Sequence, residues 1–399
     1  MRIFIEPTEP LLFRTGRPFH AGENNFAESM FPPTPETLQG ALRAMIAAQW
    51  GKAHTDKVRT MNEIFNEDDI VRLIGKRIGD RNVYGQFRIT GLTLGHRDRE
   101  TKKVVRLFPA PTHLIQATVK DGESKTTILA RLIPKSLPQE MSNHPPEKQL
   151  LFPELGGKKT AGKSEALEGW LTARGLQRAL SKKGFPEGED MVPPSQIYER
   201  ESRLGIGMDN ATKTTEEGYL YQVQMIRMHP HYGFVVDIEF GEEQYGASEL
   251  PHPEQRTGRL VPPPELAFLK DGWLLLGGEQ RAAHFEVLQP EDTPDEQGIS
   301  QEKPGRLLYF ATPAYFRNGW LPAASHILPA EPTTAAMDRY RPIGGWLLNP
   351  GSAGGTSKII RRYIPAGSVY YFDTPVSVTQ PLTEYGWQIG YGIAYTGEY

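Results

Sequence analysis

Apolar and polar residues alternate along several short segments of the chain, and this pattern predicts β-strands. The segment 2–6 alternates near the N-terminus, and segments 87–94, 218–226 and 234–240 repeat the pattern further along. Shorter apolar runs predict further strands at 104–111, 273–276, 285–288, 307–310 and 369–372. The sequence therefore predicts a protein that is rich in strands.

The clearest helix signal begins at residue 35. Thr34 is a suitable N-cap, Pro35 suits the first helical position, and Gly51 is a suitable C-terminal stop. Between them, apolar residues recur at helical spacing: Leu38, Ala41, Leu42, Met45 and Ile46. A second helix is predicted over 164–180 from the spacing of its leucines.

Two charged segments interrupt these elements. We interpret residues 52–82, which are compatible with helix, as an insertion, and residues 134–164 as a long loop rich in proline and glycine. Residues 184–215 look irregular, and the composition changes near Thr215. We therefore expect an N-terminal domain over 1–215, with both insertions, and a C-terminal domain over 216–399.

Composition excludes several classes of protein. The 399 residues include 45 Lys plus Arg and 48 Asp plus Glu, so a formal charge of −3 excludes a strongly basic or acidic binding tail. The absence of cysteine excludes disulfides, zinc knuckles and thiol nucleophiles. The longest apolar run is too short to span a bilayer, so we expect a cytoplasmic protein.

Motifs for catalysis are missing from the chain. It contains no Gly-x-Ser-x-Gly elbow, no phosphate-binding Gly-x-x-x-x-Gly-Lys-Ser/Thr loop and no His-Glu-x-x-His. The sequence therefore predicts no catalytic residue, no metal ligand and no cofactor.

A glycine-rich segment near the C-terminus is a candidate for anion binding. Gly386, Gly390 and Gly392 would let backbone amides approach a phosphate closely, because glycine has no side chain to block a ligand. Trp387 and Tyr391 add surfaces on which bases could stack. A tight turn explains the glycines about equally well, and core packing explains at least one of the aromatic residues better.

Basic residues provide a second set of candidates for contacts with RNA. Several lie beside glycines, which suits contacts with phosphates and base edges. Each one alone is explained at least as well by an ordinary salt bridge at the surface. The candidates are Arg14, Arg17, Arg43, Arg203, Arg281, Lys358, Arg361 and Arg362.

A series of short motifs, in order over nearly the whole chain, resembles one protein family. They are 13–19 (FRTGRPF), 31–35 (FPPTP), 40–43 (GALR), 107–111 (LFPAP), 201–207 (ESRLGIG), 276–281 (LGGEQR), 364–372 (IPAGSVYYF) and 386–392 (GWQIGYG). Each motif is common, but their number and order are specific. The chain resembles RAMP-superfamily subunits of the Cmr module in type III-B CRISPR systems, in particular the subunit that holds the 5′ handle of the CRISPR RNA.

The resemblance implies an α+β fold with two ferredoxin-like, RRM-type βαββαβ domains, long loops and insertions. It implies a non-catalytic subunit of an RNA-guided antiviral complex, which binds the 5′ handle and meets target RNA only indirectly. The implied protein partners are the large polymerase-like subunit and a backbone RAMP subunit. It also implies that the glycine-rich segment faces the RNA.

Two other functions stay open from the sequence. A RAMP-type, metal-independent endoribonuclease would need a general base and a cation, which His20 with Arg14 or Arg17 could supply. A scaffold that contacts only protein would show no salt-dependent affinity for RNA.

Overall fold

The computed structural model describes residues 1–15, 26–54, 59–78, 81–121, 124–136, 149–208, 211–212, 214–241, 266–293, 303–348 and 355–399. Strands dominate them, and most helices are short. The helices are α1 Pro35–His54, α2 Met61–Phe65, α3 Asp68–Ile74, α4 Ala173–Ala179 and α5 Pro194–Ile197.

The strands form several sheets. Those up to residue 172 are β1 Arg2–Pro7, β2 Phe26–Ala27, β3 Lys76–Ile78, β4 Arg81–Val83, β5 Phe87–Arg97, β6 Val104–Pro109, β7 Leu114–Asp121, β8 Ser124–Lys135, β9 Leu150–Pro153, β10 Lys159–Ala166 and β11 Trp170–Thr172. Those between residues 191 and 310 are β12 Met191–Val192, β13 Tyr198–Met208, β14 Thr215–Met228, β15 Tyr232–Phe240, β16 Gly272–Leu276, β17 Arg281–Leu288 and β18 Gly305–Phe310. The remaining strands are β19 Ala314–Tyr315, β20 Thr334–Ala336, β21 Arg341–Ile343, β22 Trp346–Leu348, β23 Gly355–Ser357, β24 Arg361–Ile364, β25 Val369–Val376 and β26 Ala394–Gly397.

An eight-stranded antiparallel sheet organises the first three quarters of the chain. Its order is β12-β11-β6-β5-β15-β1-β17-β16. Alternation along β1 sends Ile3 and Ile5 into the cluster that also buries Leu42 and Ile46 of α1. Phe4 packs in a separate cluster with Val235. One face of the sheet is therefore covered by α1, the helix that the apolar spacing predicted.

A four-stranded antiparallel sheet organises the C-terminal part, in the order β20-β25-β18-β26. Both faces of β18 are buried. Tyr309 packs in a cluster that includes Phe108 and Leu176 from the first part of the chain, and its hydroxyl donates to the Pro109 carbonyl at 2.7 Å. The two sheets therefore share a hydrophobic core.

The expected domain boundary at residues 215 and 216 does not coincide with a change of sheet. It falls at the start of β14, which pairs with β13 in a long hairpin. Strands β15, β17 and β16, which follow this point, complete the eight-stranded sheet. The change in composition marks a hairpin turn, and the change from one sheet to the other comes between β17 and β18.

The helix expected over 164–180 forms only in the second half of that segment. Residues up to Ala166 belong to β10, and β11 pairs with β6, so only α4 is helical. Gly169 has φ +115°, a conformation that ends any helix from residue 164. The Thr172 hydroxyl then caps α4 by accepting from the Gly175 amide at 3.1 Å.

The insertion over 52–82 contains helices, as its sequence predicted, and the segments expected to be loops or irregular also contain regular structure. Residues 52–82 hold the end of α1, which continues past Gly51 to His54, together with α2, α3, β3 and part of β4. Within 134–164 lie β9 and part of β10, while residues 137–148 lie outside the described part of the chain. The segment 184–215 contains α5 and the long strand β13.

Candidate nucleic-acid interface

Five tyrosines from distant parts of the sequence gather where α1 begins. We call Tyr84, Tyr315, Tyr363, Tyr385 and Tyr391 the tyrosine cluster. The rings of Tyr363 and Tyr391 stack with centroids 4.6 Å apart and planes at 26°. The Tyr391 hydroxyl donates to the carboxylate of Glu36 in the first turn of α1. The cluster therefore joins the C-terminal end of the chain to α1.

Arg361 lies against the partly exposed side of this cluster. Its guanidinium carbon is 3.9 Å from the ring centroid of Tyr385 and 5.7 Å from that of Tyr315. It belongs to β24, the central strand of a small sheet between β19 and β21. The next residue, Arg362, is exposed, whereas Arg361 is half-buried. A stacked guanidinium therefore lies one residue from a solvent-facing one.

Hydroxyls of the cluster are held in the protonated form. Burial raises the pKa of Tyr391 well above its ordinary value, and the nearby carboxylate of Glu36 raises it further. Burial also raises the pKa of Tyr385, an effect that Glu36 strengthens and Arg361 opposes. These phenols can therefore act as hydrogen-bond donors at any physiological pH.

Arg43 is anchored inside the protein close to the same cluster. Its Nη2 donates to the Gly75 carbonyl at 2.9 Å, which ties α1 to the end of α3. Burial lowers the pKa of the Arg43 guanidinium, and the charge interaction with Tyr84 opposes this shift. Its Nε is buried and makes no hydrogen bond with any described residue. Arg43 therefore holds α1 and the end of α3 together next to the tyrosine cluster.

The glycine-rich segment is buried, which corrects the prediction that its amides are free. The Gly392 amide donates to the Pro313 carbonyl at 2.8 Å, and the Tyr391 amide donates to the Gly386 carbonyl at 3.3 Å. Gly390, at φ +98°, passes so close to β5 that an added Cβ would lie 2.8 Å from Cγ2 of Ile89. The glycines therefore serve a tight turn and close packing, which was the alternative interpretation.

The aromatic residues of this segment do not offer stacking surfaces. Tyr391 is fully buried, and Trp387 is only 6% exposed. The Arg88 guanidinium covers the ring of Trp387 at 5.2 Å from its centroid. The Tyr391 hydroxyl is bonded to Glu36, and the Trp387 ring packs against Arg88.

Arg203 and Arg281 are engaged in ion pairs. Nε of Arg203 donates to Glu201 at 2.7 Å, on the exposed β13–β14 hairpin. Arg281 pairs with Glu279 and, at 3.3 Å, with Glu9. Both arginines lie away from the tyrosine cluster in the sequence and in their contacts. The salt-bridge interpretation fits them.

The remaining basic candidates are placed as follows. Arg14 is exposed and forms an isolated bridge with Ser29. Lys358 is half-buried near the start of β24, with its amide donating to the Gly345 carbonyl at 2.8 Å. Arg17 and His20 lie outside the described residues. Of these basic residues, the structure places only Arg361 against the tyrosine cluster. Arg362 is paired with Pro342 and lies on the other face of β24.

Sequence reasoning missed the tyrosines that make this site. Tyr84, Tyr315, Tyr363 and Tyr385 come from four segments, and no periodicity links them. The available signal was local: Tyr363 directly follows Arg361-Arg362, and Tyr385 directly precedes Gly386. Basic and aromatic residues side by side on a strand are typical of RNA-binding surfaces.

Two other properties of the described residues bear on function. They contain no group of three or more His, Asp or Glu side chains arranged to hold a metal ion. Within the same ranges, no helix has the length and apolar character needed to cross a membrane.

Comparison with known proteins identifies a family. The family model described as CRISPR-associated protein (Cas_Cmr3) matches residues 3–399. A search of curated protein sequences finds no match.

Solved structures give weaker similarities. A chain of a type III-B Cmr-beta complex bound to cognate target RNA and AMPPnP is 17% identical, with 93% of this chain and 86% of that chain covered and a TM-score of 0.46. A chain of the Csm3–Csm4 subcomplex from a type III-A CRISPR-Cas interference complex is 11% identical, with 94% of each chain covered and a TM-score of 0.30.

Proposed function

We propose, because the chain belongs to the CRISPR-associated Cas_Cmr3 family, that it is a non-catalytic, RNA-binding subunit of a type III-B effector complex. In this role it holds the 5′ handle of the CRISPR RNA and acts in the cytoplasm. Its protein partners are the large polymerase-like subunit and a backbone RAMP subunit, which it bridges. Target RNA is recognised by pairing with the guide and not by this subunit.

The observation that carries the RNA-binding proposal is the contact of Arg361 with the tyrosine cluster. Stacking on Tyr385 fixes the plane of the guanidinium and leaves its edge N–H groups available for a phosphate. Arg362 adds a solvent-facing positive charge on the other face of the same strand. A single-stranded handle offers phosphates and unpaired bases, and this combination of stacked and exposed arginines suits both.

The strand order supports two ferredoxin-like domains. In the first sheet, strands β1, β5, β15 and β17 are arranged as β5-β15-β1-β17, with all neighbours antiparallel. In the C-terminal sheet, β18, β20, β25 and β26 are arranged as β20-β25-β18-β26. In both, the first strand lies between the third and fourth, as in a βαββαβ sheet. Helix α1 supplies the first crossover, between β1 and β5.

The test is binding of the full chain to CRISPR RNA with an intact or a scrambled 5′ handle. We expect Arg361→Ala and Arg362→Ala each to weaken binding to the intact handle about fivefold or more, since each removes a charged phosphate contact. Each should also reduce the slope of log K against log salt by roughly 0.7, the value for one phosphate on a single strand. Arg306→Ala is the matched control, because Arg306 is an exposed arginine on β18 near Tyr399.

Equal affinity for intact and scrambled handles would overturn handle recognition. Unchanged affinity of both Arg361→Ala and Arg362→Ala for the intact handle would show that the handle binds elsewhere on the protein. Catalysis is tested separately, by incubating the protein with precursor RNA without metal. We expect no cleavage, and specific cleavage that His20→Ala abolishes would favour the endoribonuclease.

A further inference from the structure

A row of three lysines crosses the sheet that β10, β7, β8 and β9 form. This sheet is antiparallel, and its strands follow that order. Lys159 of β10 is paired with Lys120 of β7, and Lys120 is paired with Lys125 of β8. We call Lys120, Lys125 and Lys159 the lysine row. None of them belongs to the tyrosine cluster.

Alternation along β7 decides which face of the sheet carries the row. Ala117 and Val119 are buried on one face, whereas Lys120 is exposed on the other. Directly paired positions of neighbouring strands lie on the same face, so Lys125 and Lys159 share the face of Lys120. Both are exposed as well. The lysine row therefore lies on the solvent-facing side of the sheet.

The row concentrates positive charge. Directly paired positions have Cβ atoms about 5 Å apart, and like charges placed there destabilise a sheet. None of the three lysines forms an ion pair with any described residue. Position 121, an aspartate in the sequence, alternates with Lys120 and belongs to the opposite face. Glu165 shares the face of the row but is paired with Gln116, four positions along β7 from Lys120, or about 13 Å.

The neighbouring positions on this face add small polar residues. Thr118 and Thr127 are paired with each other, two positions along their strands from the row. Gly162 of β10 lies beside them, since an added Cβ would be 3.7 Å from Cβ of Thr118. Ammonium and hydroxyl groups both donate hydrogen bonds to phosphate oxygens. Because these positions carry no aromatic ring, they provide contacts for phosphates and no platform for stacking a base.

We propose that the lysine row binds the phosphate backbone of RNA without reading its sequence. The three paired positions span about 10 Å, because neighbouring strands are about 4.8 Å apart. RNA carries a phosphate at every nucleotide, so one strand can neutralise the whole row, and the released counterions favour binding. Phosphate contacts position a nucleic acid, whereas base contacts specify it. The inference rests on the proposed function, since it gives an RNA-binding subunit a second contact that is independent of sequence.

The test measures binding of the full chain to the intact-handle and scrambled-handle RNAs over a series of salt concentrations. We expect Lys120→Gln, Lys125→Gln and Lys159→Gln, combined in one protein, to weaken binding to both RNAs about tenfold. The slope of log K against log salt should fall by roughly 2, the value for three phosphates on a single strand. The urea midpoint should stay the same or rise, because repulsion between paired like charges is removed.

Two further proteins serve as controls. Lys120→Arg, Lys125→Arg and Lys159→Arg together keep the charge and should retain most of the affinity for RNA. Lys135→Gln removes an exposed lysine from the same strand as Lys125, ten positions away, or about 33 Å. We expect its affinity for both RNAs to be unchanged.

Several outcomes would overturn the inference. Unchanged affinity of the combined Lys→Gln protein for both RNAs would do so, as would a loss confined to the intact handle. A loss of affinity with a lowered urea midpoint would indicate a structural role, and an equal loss in Lys135→Gln would indicate a general effect of charge. Normal RNA binding with defective assembly of the complex would indicate an acidic protein partner.

These results separate the inference from the proposed function. If the wild-type chain binds the intact handle through Arg361 and does not bind the scrambled one, the proposed function stands and the lysine-row inference fails. If the wild-type chain binds both RNAs equally and the lysine row carries that binding, handle recognition fails and the inference stands. If the wild-type chain binds neither RNA, both fail.

Discussion

The Tyr391 hydroxyl donates a hydrogen bond to the Glu36 carboxylate, across 355 positions of the sequence. Glu36 lies in the first turn of α1, where a carboxylate interacts favourably with the helix dipole. Burial and Glu36 both raise the pKa of Tyr391, so its hydroxyl remains a donor. This bond therefore joins the last part of the chain to the first turn of α1.

We expect Tyr391→Phe to lower the free energy of unfolding by about 2 kcal/mol, because it removes a buried donor to a charged acceptor. Urea denaturation measures this change. Tyr399→Phe is the control, since the Tyr399 hydroxyl makes a longer bond of 3.3 Å to the Phe372 carbonyl. Equal effects of the two substitutions would contradict the importance of the bond to Glu36.

Gly390→Ala should destabilise the protein by about 2 kcal/mol. The added Cβ would meet Ile89 at 2.8 Å, and the backbone at φ +98° is strained for alanine. Gly40→Ala is the contrasting variant, because a Cβ there meets nothing within 4 Å on α1. We expect that substitution to stabilise the protein by up to about 1 kcal/mol. A Gly390→Ala protein with normal stability but lost RNA binding would restore the original interpretation of this glycine.

Glu384 is a buried carboxylate that organises the loop before β20. It accepts hydrogen bonds from the amides of Arg317 and Ala323, the latter at 2.9 Å. Glu384→Ala should cost about 3 kcal/mol, because both amides lose a charged acceptor. Hydrogen exchange should show faster exchange at both amides. The exposed Glu398→Ala should change neither stability nor exchange, and unchanged protection in Glu384→Ala would contradict this role.

The stability of the protein should depend on pH through Asp190. Burial raises the pKa of this carboxyl, but the hydrogen bond from Arg174, the Glu187 amide and the charges of Arg174 and Arg178 outweigh burial and lower it. Because the pKa of Asp190 is lower in the folded state, the ionised carboxyl stabilises the fold at any pH above its ordinary pKa of about 3.9. This stabilisation is lost as the pH falls through the lower pKa of the folded state.

Asp190→Asn should therefore lower the free energy of unfolding by about 3 kcal/mol at neutral pH. The difference from wild type should shrink below about pH 4, as the wild-type carboxyl becomes protonated. Urea midpoints measured over a pH series test this. Glu189→Gln, at the exposed neighbouring position, should show no such dependence, and a difference that stays constant into acid would refute the assignment.

Local signals predicted the elements whose burial follows their own periodicity. The cap Thr34, Pro35 and the apolar spacing predicted α1, and alternation predicted β1. The leucines of 164–180 misled, because Leu171 is buried as a strand residue paired with Phe108 and not as part of a helix. Periodicity over such a short segment cannot distinguish a helix from a strand, because pairing with the distant strand β6 determines which of the two forms.

The candidate site was only partly predictable for a related reason. Arg361 and Arg362 are visible in the sequence as a basic pair. The stacking that orients the Arg361 guanidinium depends on Tyr315 and Tyr385, which come from other segments. Conversely, Gly390 looked like a ligand-binding glycine until the proximity of Ile89 showed what occupies the space beside it. Long-range contacts that no local pattern encodes determine both outcomes.

The core shared by Phe108 and Tyr309 has a consequence for experiments that divide the protein. A fragment that contains the second sheet alone would present several aromatic side chains to water, and the complementary fragment would present the matching surface. We expect each half to aggregate when it is expressed by itself, and the two to become soluble when they are co-expressed. If each half depends on the other in this way, RNA binding has to be located in the full-length protein.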